Sequence, residues 1–335
     1  MAYQASATRY DSMQYARCGQ SGLKLPRVSL GFWHNFGDHA DLQNMKQLCF
    51  TALDNGVTHF DLANNYGPGP GAAEENLGRI LKTDLAPYRD ELIISTKAGY
   101  TMWPGPYGDW GSRKYLMASL DQSLKRLGLD YVDIFYHHRM DPDTPLEETM
   151  TALVDIVKQG KALYIGLSNY DGVTMQRAAQ ILDKRHCPFV INQNRYNILD
   201  RTIERNGLKT AAAKKEKGII AFSPLAQGVL SDRYLHGVPA DSRVRTDNRF
   251  LKESQLTDKR LAQISCLNAI AAQRGQTMAQ MALSWVLRDD VVTSVLVGAS
   301  RPEQIVENVK VAGQSHRFSD EELHAIDQIC EVPLD

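Results

Sequence analysis

Eight short apolar runs alternate with helix-like stretches along this 335-residue chain, and that alternation limits the folds open to it. The runs cover residues 28–31, 58–61, 92–97, 132–137, 164–168, 189–193, 219–223 and 294–297. They are continuous rather than alternating, as strands are when both faces of a sheet are covered. Between them apolar residues recur at helical spacing near 41–55, 73–82, 113–127, 146–159, 173–184, 202–217 and 257–288. A further helical pattern, 301–311, follows the eighth run, and 319–330 adds an extra C-terminal helix. Strand–helix alternation of this kind gives parallel strands joined by crossover helices. Eight units favour closure into a (β/α)8 TIM barrel, an α/β fold of typically ~250 residues before insertions. No linker-like segment divides residues 1–335, so one barrel domain is expected. Gly56, Gly128, Gly160 and Gly218 stand where helix gives way to strand, as stop signals do. Ahead of the first barrel strand, residues 18–23 read as a turn between short arms, predicting a β-hairpin over 14–26 that plugs one barrel end.

Composition narrows the partners. A formal net charge of -1 gives no electrostatic reason to expect nucleic acid or an acidic membrane surface. Cys18, Cys49, Cys187, Cys266 and Cys330 are scattered without ligand-like spacing, which reads as reduced thiols in a cytoplasmic protein. Residues 1–15 hold no secretory apolar run, and no stretch approaches the ~20 apolar residues of a membrane span. A small molecule is the expected partner.

Barrel chemistry is placed at the C-terminal ends of the strands. Asp61 ends the second apolar run and Tyr66 lies in the loop beyond it. Lys97 ends the third run and His138 follows the fourth. An acid, a phenol, an amine and an imidazole from successive strand ends make a proton-donating site. A free tyrosine has a pKa of about 10, and a neighbouring ammonium lowers it by stabilising the phenolate. Lys97 is expected to do this to Tyr66, with Asp61 holding Lys97 and His138 orienting a carbonyl. Taken singly, each residue has a blander reading: a loop tyrosine packs, and a strand-end lysine reaches for solvent. The four together are far more specific.

Other motifs are weighed in the same way. His137 and His138 are strand neighbours that face opposite sides, and no third ligand is at hand, so no metal site is expected. Gly67-Pro68-Gly69-Pro70-Gly71-Ala72 fits a dinucleotide fingerprint, but its prolines remove N–H donors, and a loop shaping the site's mouth is the preferred reading. Ser168, Asn169 and Gln193 end the fifth and sixth runs and can pair with a carboxamide; a helix N-cap is the alternative for Ser168-Asn169. Phe222 ends the seventh run and can stack on a planar ring or simply pack. Gly298-Ala299-Ser300 precedes Pro302 at a helix start, an anion-binding arrangement. Arg233, Arg243 and Arg301 lie nearby, each equally readable as a surface charge. Residues 98–112 and 224–256 form the longest loops, and loops beyond ~12–15 residues are usually functional or disordered.

These residues together resemble the aldo-keto reductase superfamily. The resemblance runs from Leu30-Gly31 through Phe60-Asp61 with Tyr66-Gly67, Thr96-Lys97, and Asp133 with His138 five residues on. It continues through Gly166-Leu167-Ser168-Asn169, Ser223-Pro224-Leu225-Ala226 and Gly298-Ala299-Ser300 to Glu303-Gln304 and Glu307-Asn308. Within the superfamily the chain is most similar to the branch of bacterial L-glyceraldehyde 3-phosphate reductases and voltage-gated potassium channel beta subunits. Residues 61–68 and 103–108 look like the bacterial reductases almost letter for letter. The resemblance implies a barrel that binds NADPH without a Rossmann fold, with Tyr66 as acid, Lys97 its tuner, Asp61 the partner of Lys97, and His138 orienting the carbonyl. It implies that Ser168, Asn169 and Gln193 hold the carboxamide and that Phe222 lies against the nicotinamide. Ser223, Pro224, Leu225, Gln227, Gly228 and Arg233 are expected along the rest of the cofactor. So are Ser242, Arg243, Gly298, Ser300, Gln304, Glu307 and Asn308. Gly31 and Trp33 fall at the mouth and, with Asp61, are expected among the cofactor-binding residues. Trp33, Tyr66, Trp103 and His138 are expected around the substrate, and Arg113 or Arg139 on a substrate phosphate.

Two departures stand out. Many superfamily members carry Lys and Arg around the adenosine 2′-phosphate, where this chain has Gly298 and Gln304. Their stacking aromatic is often Trp or Tyr, here Phe222. The function implied is NADPH-dependent reduction of small aldehydes and ketones, L-glyceraldehyde 3-phosphate and methylglyoxal-like carbonyls among them, by a homo-oligomer. The competing reading is an NADPH-sensing regulatory subunit with slow turnover. The channel subunits carry Asn where this chain has His138, which favours catalysis.

Overall fold

The eight apolar runs become eight parallel strands in the computed structural model, which describes residues 3–235, 237–239, 243–246 and 251–331. A hairpin of β1 (Tyr15–Arg17) and β2 (Lys24–Pro26) comes first. Then follow β3 (Val28–Gly31), β4 (His59–Asp61), β5 (Ile93–Ala98), β6 (Val132–His137), β7 (Ala162–Ser168), β8 (Phe189–Arg195), β9 (Gly218–Phe222) and β10 (Val292–Val297). They pair in the order β10-β3-β4-β5-β6-β7-β8-β9 and close into a barrel. The fold is the expected α/β TIM barrel with an N-terminal hairpin.

The helices are α1 (Leu42–Asp54), α2 (Ala72–Ile80), α3 (Arg113–Leu127), α4 (Leu146–Lys158), α5 (Gly172–Lys184), α6 (Thr202–Arg205) and α7 (Leu208–Lys214). After them come α8 (Arg243–Thr246), α9 (Asp258–Gln273), α10 (Met278–Val286), α11 (Pro302–Val309) and α12 (Asp320–Glu331). Two expected helices are split. Residues 202–217 break at Gly207, which sits at φ 76°. The 257–288 pattern breaks at Gly275, after which Thr277 and Gln280 exchange hydrogen bonds in a capping box that starts α10. Spacing alone did not reveal either break.

Gly56, Gly128 and Gly160 take the left-handed conformation expected of helix stops, but Gly218 does not. Glu216 makes that turn, at φ 54°. Gly218 is small for another reason: a Cβ there would lie 2.5 Å from the Thr293 hydroxyl.

Strand alternation decides what fills the barrel. Side chains two apart share a face, so His59 and Asp61, Ser95 and Lys97, and Ile134, Tyr136 and His138 point inward. Phe60, Ile94 and Phe135 point outward into the main apolar core beneath the helices. Gly166 faces in as well, and the Tyr136 ring fills its space: a Cβ on Gly166 would lie 2.2 Å from that ring. At the N-terminal end Cys18, Leu23 and Leu25 of the hairpin pack on Ile134, Tyr136, Ile220 and Leu296, closing the barrel floor. The polar interior above that floor is left to the site.

Candidate active site

Four side chains meet where β4, β5 and β6 open into their loops. Lys97 and Asp61, both fully buried, form an ion pair across adjacent strands. The Lys97 ammonium also donates to the Leu62 carbonyl at 2.6 Å and to the Tyr66 hydroxyl at 3.4 Å. His138 presents its ring to Tyr66, centroids 5.9 Å apart and inclined by 71°. The structure therefore brings together all four residues that the strand-end argument selected.

Asp61 is surrounded by donors. Its Oδ1 accepts from Ser95 Oγ at 2.7 Å and from Gln193 Nε2 at 3.0 Å, and its Oδ2 accepts from Lys97. A buried carboxylate is retained only when so many donors satisfy it.

Burial dominates the electrostatics of the site. The Tyr66 hydroxyl is held well above its usual value, first by burial and then by the Asp61 charge and Tyr100. Lys97 is itself pushed down by burial, against the pull of Asp61. Burial and the Asp61 charge both favour the protonated hydroxyl of Tyr66. His138 is pushed far down by burial, then by Lys97, His137 and Arg139, so its ring is neutral. Its Nδ1 is buried without a hydrogen-bond partner. His137 turns to the other face, its Nδ1 2.7 Å from the Tyr170 hydroxyl.

The amides at the next strand ends are partly engaged. Asn169, at φ 59°, donates from Nδ2 to the His138 carbonyl at 3.0 Å. Gln193 gives its amide N–H to Asp61. Each keeps its amide oxygen as an acceptor, and Ser168 adds a buried hydroxyl beside them. Phe222 is half-buried at the end of β9. Beyond it Ser223, Ala226, Gln227 and Gly228 all take positive φ, and Gln227 donates to the Ser223 hydroxyl at 3.3 Å. Such backbone clusters at ligand clamps. Pro224 is buried within this turn and Leu225 packs against the core. Arg233 follows in a short turn that Ser231 caps.

At β10, Gly298 faces open space, with nothing within 4 Å of where a Cβ would lie. Gln304 reaches back to the Ser300 N–H at 2.8 Å and so closes the start of α11. Glu307 ties α11 to α10 through Gln280 at 2.8 Å, and Asn308 is buried beside it. Gly31 lies under Leu296, and Trp33 is half-buried next to His34. Ser242 and the side chain of Arg243 lie outside the described residues.

The two arginines assigned to a substrate phosphate are engaged elsewhere. Arg113, at the start of α3, pairs with Asp155 of α4 at 2.6 Å on the outer surface. Arg139 is bound to Asp109 at 2.6 Å and donates to the Gly99 carbonyl at 2.7 Å. Its guanidinium lies between the rings of Trp110 and Tyr100, 3.6 and 4.3 Å from their centroids. Tyr100 in turn meets the His138 ring edge-on at 4.7 Å. Trp103 packs on Tyr115, centroids 5.3 Å apart.

The motif Gly67–Ala72 is tied to the loop after β3. The Gly67 and Pro68 carbonyls accept from the N–H groups of His34 and Asp38, at 3.1 Å each. Sequence reasoning missed His59, Ser95 and Tyr100. The i, i+2 relation of His59 to Asp61, and of Ser95 to Lys97, was the signal that could have found the first two.

A parallel barrel with Asp61, Lys97, Tyr66 and His138 gathered at its C-terminal mouth defines a barrel oxidoreductase. The chain belongs to the aldo/keto reductase family, whose profile matches residues 27–331. It is 56% identical to an L-glyceraldehyde 3-phosphate reductase of Escherichia coli O157:H7, over 98% of this chain and 95% of that one. A second such reductase, from Escherichia coli K12, is 55% identical over the same shares. A probable voltage-gated potassium channel subunit beta of Oryza sativa subsp. japonica is 36% identical over 89% of this chain and 90% of its own. Among the described residues no helix is long and apolar enough to cross a membrane.

Proposed function

We propose that the protein reduces small aldehydes and ketones with NADPH, short phosphorylated aldehydes such as L-glyceraldehyde 3-phosphate included. The observation that carries this reading is the hydrogen bond from Lys97, itself paired with Asp61, to the Tyr66 hydroxyl beside His138. The substrate class draws on the names of the relatives that match this chain over nearly its full length.

The residues present fit a dinucleotide. The open ground at Gly298, the left-handed turn from Ser223 to Gly228, and the amide oxygens of Asn169 and Gln193 match a phosphate, a ring edge and a carboxamide N–H₂ in turn. Ser168, Phe222, Leu225, Gln227, Ser300 and Asn308 would hold the rest. When bound, the reduced nicotinamide supplies the hydride. The chain's own groups handle the proton and the carbonyl. Tyr66 donates its phenolic proton to the carbonyl oxygen as negative charge grows there. An alkoxide is far more basic than a phenolate, so an acidified tyrosine is not required; a protonated and well-placed one is. Lys97 then stabilises the phenolate left behind, and Asp61 keeps Lys97 charged. Neutral His138 aligns the carbonyl without competing for the proton. Proton donation by a placed acid contributes ~10²–10⁴-fold.

The test is to mix the purified protein with NADPH and a panel holding glyceraldehyde 3-phosphate and methylglyoxal, and to follow the reduced-nicotinamide absorbance. Consumption at catalytic turnover supports the reading. NADPH that binds tightly and persists after aldehyde is added would replace it with a cofactor-sensing subunit.

A further inference from the structure

Below the four residues at the mouth, the barrel interior holds a line of polar groups that the chemistry above does not use. His59 is fully buried, with its Nδ1 2.9 Å from Ser29 Oγ and its Nε2 2.9 Å from Ser95 Oγ. Ser29 Oγ lies 2.7 Å from Ser294 Oγ. Ser95 Oγ lies 2.7 Å from Asp61 Oδ1. The line thus runs from Ser294 on β10 through β3, β4 and β5 to Asp61, and from there through Lys97 to Tyr66.

Its direction is fixed by hydrogen-bond arithmetic. An ionised carboxylate only accepts, so Ser95 donates its proton to Asp61. Ser95 Oγ must then accept from His59, which places the imidazole proton on Nε2. His59 Nδ1 is left as an acceptor, so Ser29 donates to it and Ser294 donates to Ser29. Every bond points the same way and adds partial positive charge toward Asp61, and bonds aligned in this manner polarise one another. Burial keeps the ring neutral, against the pull of Asp61. A charged ring could not accept from Ser29, so neutrality and direction go together.

We infer that His59 is a positioning residue for the tetrad: acting through Ser95, it holds Asp61 aimed at Lys97 and sets the proton affinity of the Lys97–Tyr66 pair. The tetrad is Asp61, Tyr66, Lys97 and His138, and this rests on the function proposed above for those four residues. The charged and titratable groups facing this unit are Lys97 of β5, Tyr66 of the loop after β4, Tyr136 of β6, His138 beyond it, and Glu74 of α2 acting on Lys97. None of them replaces the Ser95 proton at Asp61 Oδ1. Removing that proton makes the neighbourhood more negative, and the pair then holds its protons harder.

The experiment compares wild type with Ser95→Ala, Ser95→Thr and His59→Phe in the full chain. Turnover with NADPH and aldehyde is followed across pH, with the KM for aldehyde and the Tm recorded for each. Ser95→Ala is expected to lower kcat about tenfold and to move the kcat profile to higher pH, with KM little changed. Ser95→Thr keeps the hydroxyl and restores the wild-type profile. His59→Phe shifts the profile the same way by less, since Ser95 still donates. Independently of turnover, ¹⁵N-histidine NMR of the cofactor-free protein is expected to show one ring, absent from His59→Phe, as the Nε2–H tautomer and neutral from pH 5 to 9. A lowered Tm in Ser95→Ala with an unmoved kcat profile overturns the inference and leaves a structural role, as does a His59 ring in the Nδ1–H form. Absence of turnover in wild type overturns the tetrad reading and this inference with it. If His59→Phe fails to fold, the Ser95 pair and the wild-type spectrum decide.

Discussion

Arg139 grips Asp109 at 2.6 Å while its guanidinium is sandwiched between Tyr100 and Trp110. The two residues staple the loop after β5 to the strand end that carries His138. Tyr100 transmits this to the catalytic mouth, resting one face on Arg139 and meeting the His138 ring edge-on. A cation whose charge and faces are already used is a support for the pocket wall.

Arg139→Ala and Asp109→Ala should therefore behave alike. Both are expected to raise KM several-fold for phosphorylated and unphosphorylated aldehydes together, since both free the same loop. A phosphate ligand would behave differently: Arg139→Ala would weaken only phosphorylated substrates, and Asp109→Ala, which unpairs the arginine, would tighten them. Steady-state kinetics on glyceraldehyde 3-phosphate and methylglyoxal separates the two.

The Asp61–Lys97 pair makes a second prediction. Removing one member of a buried pair leaves an uncompensated charge, typically costing ~3–5 kcal/mol. Ser95 and Gln193 still satisfy Asp61, so Lys97→Met is expected near the lower end, about 3 kcal/mol, by urea titration. The double variant Lys97→Met/Asp61→Asn should recover most of that stability, because the lone charge is gone. Neither variant should recover turnover. A double variant as unstable as the single one would mean that packing, not charge, holds these strand ends.

Acid should unfold the protein from within. Burial lowers His59 and His137 to about 4, against an ordinary value near 6.5. Between those values the unfolded chain binds protons that the folded chain refuses, so stability rises with pH through this window. It is fully present above about 6.5 and lost as pH falls toward 4, by about 3 kcal/mol for each ring. Urea midpoints measured from pH 4 to 8 should plateau above 7 and fall steeply below 6. His59→Gln, which does not titrate, should flatten part of that slope. A midpoint independent of pH from 4 to 7 would contradict the account.

Gly166 yields a packing test. The Tyr136 ring occupies the volume of the missing side chain, 2.2 Å from where a Cβ would sit. Gly166→Ala must displace that ring inside a closed barrel, and overpacking of this kind costs ~1–3 kcal/mol. Loss of the same amount in Gly166→Ala and in Gly298→Ala, where the space is open, would refute the steric explanation.

The strands were legible because the barrel strands are short apolar runs, several of them with a polar residue at or near the end, as in Phe60-Asp61 and Thr96-Lys97. Strand ends also carried the site, since a parallel barrel presents them on one rim. What sequence did not carry was the partner of side chains outside that site. Arg139 beside His138 looked like a free cation because its neighbours Asp109 and Trp110 come from another strand's loop. Gly218 misled because a glycine before a strand looks the same whether it ends a helix or makes room for Thr293.

In the proposed reaction Tyr66 gives the proton and Lys97 serves it. The most direct measurement is the single-turnover rate of NADPH oxidation by Tyr66→Phe with saturating aldehyde, alongside its NADPH affinity. The rate is expected to fall by ~10²–10⁴-fold with NADPH binding unchanged, since the variant keeps the ring and loses only the hydroxyl. A Tyr66→Phe protein that reduces aldehyde at a rate within a few-fold of wild type would contradict it.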